Sequence, residues 1–168
     1  MKPLSLKMRA IALLAQREHS LSELRGKLLR LARAAQALKR AEAEDGDEDP
    51  TEAMADPGAE VDELLVWLQA RGYLSESRFV ESRVHVRAQR YGNLRIKQEL
   101  AQHGLTLDAE RQAQLKDSEF ERALAVWARK FGAALPEDAA ARARQTRFLA
   151  GRGFSAEVIR RVLRGLPE

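Results

Sequence analysis

Between Arg78 and Lys97 the chain carries six cations, Arg78, Arg83, Arg87, Arg90, Arg95 and Lys97, against one acid, Glu81. Arg83, Arg87 and Arg90 follow i, i+4, i+7 spacing, which on a helix puts them on one face. Val80, Val84 and Tyr91 line an adjacent face that can bury. A row of guanidinium groups projecting from a packed helix suits phosphates or carboxylates, because each fork makes paired, charge-assisted hydrogen bonds. Gly92-Asn93 then turns the chain, and Arg95 and Lys97 open the next helix. A second basic face is Arg160, Arg161 and Arg164, opposite Ile159, Val162 and Leu163. The plainer alternative for either face is a solvated arginine-rich surface.

Other chemistry is hard to place. There is no Cys, which excludes disulfides, thiolate metal sites and thiol nucleophiles. No Gly-x-x-x-x-Gly-Lys loop is present to cradle phosphates, so ATP hydrolysis is not expected. His19, His85 and His103 lack metal-ligand spacing and read as surface or boundary residues. No carboxylate pair stands out for acid–base work. The expectation is a protein that is not an enzyme and has no cofactor or metal. Trp67, Trp127, Phe79, Phe120, Phe131 and Phe148 sit at core spacing, so no platform for unpaired bases is apparent. Contact with DNA is therefore expected to be directed at the backbone, weak and independent of sequence.

The elements that must hold these cations are helices. Leu21, Leu24, Leu28, Leu31, Ala35 and Leu38 form one apolar stripe; Val61, Leu64, Leu65 and Leu68 form another. Phe120, Leu124, Trp127 and Phe131 follow the same period, as do Ile159, Val162, Leu163 and Leu166. No segment alternates as a strand would. Ser20 or Ser22 and Ser75 are placed to cap helices. Gly72, Gly92, Gly104, Gly132 and Gly153 fall where a left-handed helix terminator is wanted. First helices are expected near Ser5, Glu76 and Ser118, second helices near Leu21, Asn93 and Glu137, and third helices near Ala59, Leu107 and Ala156. The fold expected is all-α: three tandem three-helix, helix-turn-helix-like repeats in an elongated, curved arrangement. Their bounds are 1–74, 75–117 and 118–168.

Composition agrees with this reading. Hydrophobic residues make up 45% of the 168, enough for a core. The net charge of +4 conceals an asymmetry. Residues 42–60 hold nine acids and no Lys or Arg, which leaves 29 basic against 16 acidic residues elsewhere, or +13. A body so basic suits a polyanionic partner. The acidic stretch 42–58 has one large apolar residue, Met54, and reads as a flexible insertion. No run approaches the ~20 apolar residues of a membrane span. The short run Ala10–Ala15 lacks the length and cleavage site of a secretory signal. A soluble, cytoplasmic monomer with no membrane partner is expected.

Four ordered segments resemble the RecX family. Gly72-Tyr73-Leu74-Ser75-Glu76-Ser77-Arg78-Phe79-Val80 resembles the family's Gly-Tyr-Leu-Asp-Asp-x-Arg-Phe-Ala segment. Gly92-Asn93-Leu94-Arg95-Ile96-Lys97-Gln98-Glu99-Leu100, continuing to Gly104-Leu105, resembles its Gly-x-x-Arg-Ile-x-x-Glu-Leu segment. Arg147-Phe148-Leu149-Ala150-Gly151-Arg152-Gly153-Phe154-Ser155 is similar to its C-terminal repeat. Ala12 to Ser20, with Glu23-Leu24 and Lys27-Leu28, fits its first. His103 departs from the usual Lys or Arg, and the acidic insertion is longer than is typical. The resemblance implies tandem three-helix repeats and a modulator, usually negative, of the RecA recombinase. It also implies RecA and the RecA–single-stranded DNA filament as partners. The residues expected at that interface are Arg83, Arg87, Arg90, Arg95, Lys97, Arg160, Arg161 and Arg164. The rival reading is a helix-turn-helix repressor, which would present a recognition helix to the major groove; no such helix stands out.

Overall fold

A computed structural model describes residues 4–44 and 56–165. Among them the regular structure is helical throughout, in three successive triplets. The first is α1 (Leu6–Gln16), α2 (Leu21–Glu44) and α3 (Pro57–Ala70). The second is α4 (Glu76–Ala88), α5 (Asn93–Ala101) and α6 (Ala109–Asp117). The third is α7 (Glu119–Phe131), α8 (Ala139–Gly151) and α9 (Ala156–Arg164). The chain divides into two compact units, 1–79 and 80–168. The division falls inside α4.

Helix starts follow cap chemistry. Ser5 Oγ accepts from Met8 N, Ser20 Oγ from Glu23 N and Ser155 Oγ from Val158 N. Asp56, Asp108 and Asp138 cap α3, α6 and α8 in the same way. Each satisfies a backbone N–H that has no partner within the helix. Three starts differ from expectation by two residues; helix α6 begins at Ala109 rather than near Leu107, because Asp108 caps it. Helix α3 begins at Pro57, two residues before Ala59, because proline suits the first helical position and Asp56 caps it. Helix α8 begins at Ala139, since Asp138 acts as its cap rather than as a helical residue. The expected insertion 42–58 is narrower at both ends: α2 extends to Glu44 and α3 starts at Pro57. The remainder of that stretch lies outside the described residues.

In the first unit, α1, α2 and α3 bury Ala10, Leu24, Leu28, Ala32, Val61, Leu65, Leu68 and Leu74 together. The α2 stripe stops contributing at Ala32; Ala35 is exposed and Leu38 is 66% exposed. Length explains the difference. At about 1.5 Å per residue, the 24 residues of α2 outrun the 11 of α1 and the 14 of α3. His19, expected at the surface or its boundary, is buried. Its Nδ1 lies 3.0 Å from the Arg17 carbonyl, and its Nε2 lies 3.0 Å from Lys27 Nζ. With Nδ1 as donor, Nε2 is left as the acceptor for Lys27, which requires a neutral ring.

In the second unit, Phe120, Ala123, Val126, Trp127, Leu149, Phe154, Val158, Ile159, Val162 and Leu163 form the α7–α9 core. The α7 stripe is rotated from the expected one. Ala123 and Val126 are inside, whereas Leu124 is exposed. Trp127 Nε1 donates to buried Gln145 Oε1 at 2.7 Å, so the indole keeps a hydrogen bond while its ring fills the core.

Candidate anion-binding surface on the second unit

The α4–α6 and α7–α9 triplets meet through their glycines. Gly92 N donates to the Arg152 carbonyl at 2.9 Å, and Leu94 N donates to the Gly153 carbonyl at 3.1 Å. A Cβ at Gly92 would lie 2.3 Å from Gly153 O and from Phe154 N. One at Gly153, whose φ is +85°, would lie 2.6 Å from Arg95 Cβ. The expected left-handed terminator at Gly92 is therefore not what the chain uses there. Its φ is −80°, and it is the N-cap of α5. Glycine serves there because two backbones touch; Gly72, Gly104, Gly132 and Gly153 do have positive φ.

A buried polar network completes the joint. The Glu119 carboxylate, 5% exposed, accepts from Asn93 N, Ser155 N and Ser155 Oγ at 3.1, 3.3 and 3.1 Å. It thus caps the starts of α5 and α9 at once. Arg122 donates to the carbonyls of Tyr91 and Leu115 and to Asn93 Oδ1. Burial pushes the Arg122 guanidinium below its usual pKa, against the opposing pull of Glu119. Sequence spacing offered no hint of this network, because its directly bonded pairs lie up to 36 residues apart.

This joint divides the expected cations into two groups. Arg83, Arg87 and Arg95 line one cleft, of about 350 Å³, with Gln98, Glu99, Gln102 and His103. There Arg87 Nε lies 2.7 Å and Arg95 Nε 3.6 Å from the Glu99 carboxylate. Their guanidinium carbons stand 5.4 and 4.6 Å from the Tyr91 ring centroid. Glu99 lies two residues past the acid-poor window read from the sequence, although its i+4 spacing from Arg95 was available as a signal. Arg90 does not share the α4 face with Arg83 and Arg87. The helix ends at Ala88, and Arg90 sits in a turn closed by its own N–H on the Arg87 carbonyl. It lines a different cleft, of about 330 Å³, with Arg129, Lys130, Arg152, Val126 and Phe148.

The remaining expected residues are spread out. Lys97 is exposed on α5. Arg160 and Arg164 are exposed on α9, while Arg161 is half-buried with its guanidinium 4.4 Å from the Phe120 ring centroid. Arg161 thus covers the α7–α9 core. Arg129, Lys130 and Arg152 were missed in the sequence because each stands with only one or two cations near it in the chain. In the first unit, Trp67 departs from a core role. It packs at the core's edge, stacks on Tyr73 at 5.7 Å and takes Lys7 Nζ at 3.7 Å from its ring centroid.

Comparison with known proteins adds an independent line. The family model for the third three-helix domain of RecX matches residues 117–163, and that for the second matches residues 75–109. The chain is 46% identical over 166 residues to the regulatory protein RecX of Ralstonia nicotianae, spanning 98% of this chain and 89% of that one. It is 45% identical over 163 residues to the protein of the same name from Leptothrix cholodnii, spanning 96% and 88%. The corresponding protein of Ectopseudomonas mendocina is 40% identical over 170 residues, spanning 99% and 97%. No described helix is long and apolar enough to cross a membrane.

Proposed function

Since the chain belongs to the RecX family, we propose that it regulates the RecA recombinase by seating on RecA–DNA filaments and limiting their growth. Near-full-length similarity to proteins named as regulators carries this reading. The basic faces of the second unit support it. Arg83, Arg87 and Arg95 offer guanidinium forks on one cleft, with Arg87 and Arg95 held in place by Glu99 and Tyr91. Three repeats, at 1–74, 75–117 and 118–168, give the filament a multi-site contact in the cytoplasm. Regulation is stoichiometric: the protein acts as a monomer by occupying surface, without a cofactor or turnover of its own.

The test is RecA's DNA-dependent ATPase and filament length, each measured against added protein. Saturating protein is expected to lower both; no effect on either refutes the proposal. Arg87→Ala/Arg90→Ala/Arg95→Ala is expected to weaken filament binding while the helices persist, since alanine is the best helix former. Removing each charge-assisted hydrogen bond is expected to cost about 1–3 kcal/mol, and neighbours need not add. Phe79→Ala and Leu100→Ala remove buried side chains instead and are expected to lower the melting temperature, at about 2–5 kcal/mol each. A triple Arg variant that melts normally and regulates RecA at full strength would exclude this surface. Strong preference for one short palindromic duplex would point to a repressor.

A further inference from the structure

The cleft beside the joint stands out in its charge. Many arginines elsewhere have carboxylates: Arg17 with Glu23, Arg25 with Asp62, Arg78 with Glu18, Arg87 and Arg95 with Glu99, Arg111 with Asp108. Arg90, Arg129, Lys130 and Arg152 converge on one cleft. Among the described residues, none of the four has an ion pair within 4.0 Å. Arg129 and Lys130 also complement the C-terminal end of α7, but that role does not call for Arg90 and Arg152 beside them. Four like charges around one concavity repel one another unless an anion enters.

The cleft is also pre-organised. The Arg152 guanidinium stands between two rings, 5.4 Å from the Tyr91 centroid and 5.2 Å from that of Phe148. The backbone bond from Gly92 N to the Arg152 carbonyl fixes the segment that carries Tyr91. Ordering on binding therefore costs less than it would for a free surface arginine. The side chains lining the cleft are donors or hydrocarbon; none is an acceptor. A phosphodiester offers only acceptors and matches them, whereas a protein surface offers donors as well. Phe148 is packed against the α7–α9 core and capped by Arg152, so the floor holds no open apolar pocket for a peptide side chain.

We propose that this cleft is a phosphodiester site for the nucleic-acid backbone, bound without regard to base sequence. It rests on the filament reading for its biological setting. Its test uses DNA without RecA, so the two can fail separately. Arg90→Gln/Lys130→Gln removes two charges from the cleft. Lys116→Gln/Arg142→Gln removes two charges from exposed sites outside it. Anisotropy titrations on oligo-dT and on an unrelated duplex, from about 50 to 200 mM salt, give the slope of log affinity against log salt. The cleft pair is expected to reduce that slope by about 1.4 on single strands and about 1.8 on duplex, from the ~0.7 and ~0.9 counterions released per phosphate contact. The control pair should lose less than half as much, and Arg90→Lys/Lys130→Arg should keep the wild-type slope. Equal losses in both pairs would mean diffuse charge, and no loss in the cleft pair would mean no site. Unchanged DNA binding with weakened RecA-filament binding would make the ligand an acidic protein surface. Absence of measurable wild-type DNA binding would also overturn the assignment.

Discussion

Gly92→Ala is the sharpest probe of the joint. The backbone φ of −80° suits alanine, so the substitution carries no conformational strain of its own. What opposes it is space. The new Cβ would stand 2.3 Å from two backbone atoms, Gly153 O and Phe154 N, where ordinary contact begins near 3.4 Å. Backbone cannot rotate aside as a side chain can, so the α4–α6 and α7–α9 triplets must part by roughly 1 Å. That separation stretches both joint hydrogen bonds, Gly92 N to Arg152 O and Leu94 N to Gly153 O. At about 0.5–1.5 kcal/mol each, with about 1–3 kcal/mol for overpacking, the cost comes to about 2–6 kcal/mol. In a unit of this size about 4–8 °C accompanies each kcal/mol. The unit-2 melting transition should then fall by roughly 8 °C or more. Two controls separate this from a generic glycine effect. Gly26→Ala meets open space inside α2 and should stabilise by about 0.5–1 kcal/mol. Gly104→Ala also meets open space but at φ +72°, and should cost about 1–2 kcal/mol. Calorimetry of the three variants decides the matter. A Gly92→Ala protein that melts like wild type would show that the two backbones do not touch.

Removing the shared cap should act on the same unit. Glu119→Ala strands Asn93 N and the Ser155 N and Oγ donors, and is expected to cost about 2–4 kcal/mol in urea unfolding. Glu119→Gln keeps one acceptor oxygen and should recover part of the loss. In the first unit, hydrogen bonds from Arg17 and Lys27 hold the Glu23 carboxyl down at about 2 from its ordinary 4.5. A depressed carboxyl stabilises fully above its unfolded pKa and less as protons bind. Unit-1 stability should therefore decline between about pH 4.5 and 2, and Glu23→Gln should flatten that stretch of the profile. His19 is depressed below 6.5, chiefly by burial. The unfolded state takes up that proton first, so stability begins to fall as pH drops through 6.5; His19→Asn should remove that portion of the pH dependence.

The helices were legible in the sequence because their determinants are local. Apolar spacing at 3.6 residues, Ser and Asp caps and helix-ending glycines act within one or two turns, so each of the nine described starts directly follows a Ser, Asp or Gly. The family too was legible, since its segments are contiguous: Gly72–Val80, Gly92–Leu105 and Arg147–Ser155. Which cations work together was not. Arg90 lies three residues from Arg87 but faces another cleft, because α4 stops at Ala88 and the turn redirects it. Its neighbours there are Arg129 and Lys130 from α7 and Arg152 from the C-cap of α8. Glu99 pairs with Arg87 across a turn, and Glu119 caps two helices that begin 63 residues apart. Gly92 looked like a helix terminator because glycine's local and long-range uses share one letter in the sequence. Only the approach of a second backbone, at Gly153, separates them. Helix formation depends on neighbours in the chain, whereas charge clusters and backbone contacts depend on neighbours in space, which tertiary packing alone supplies.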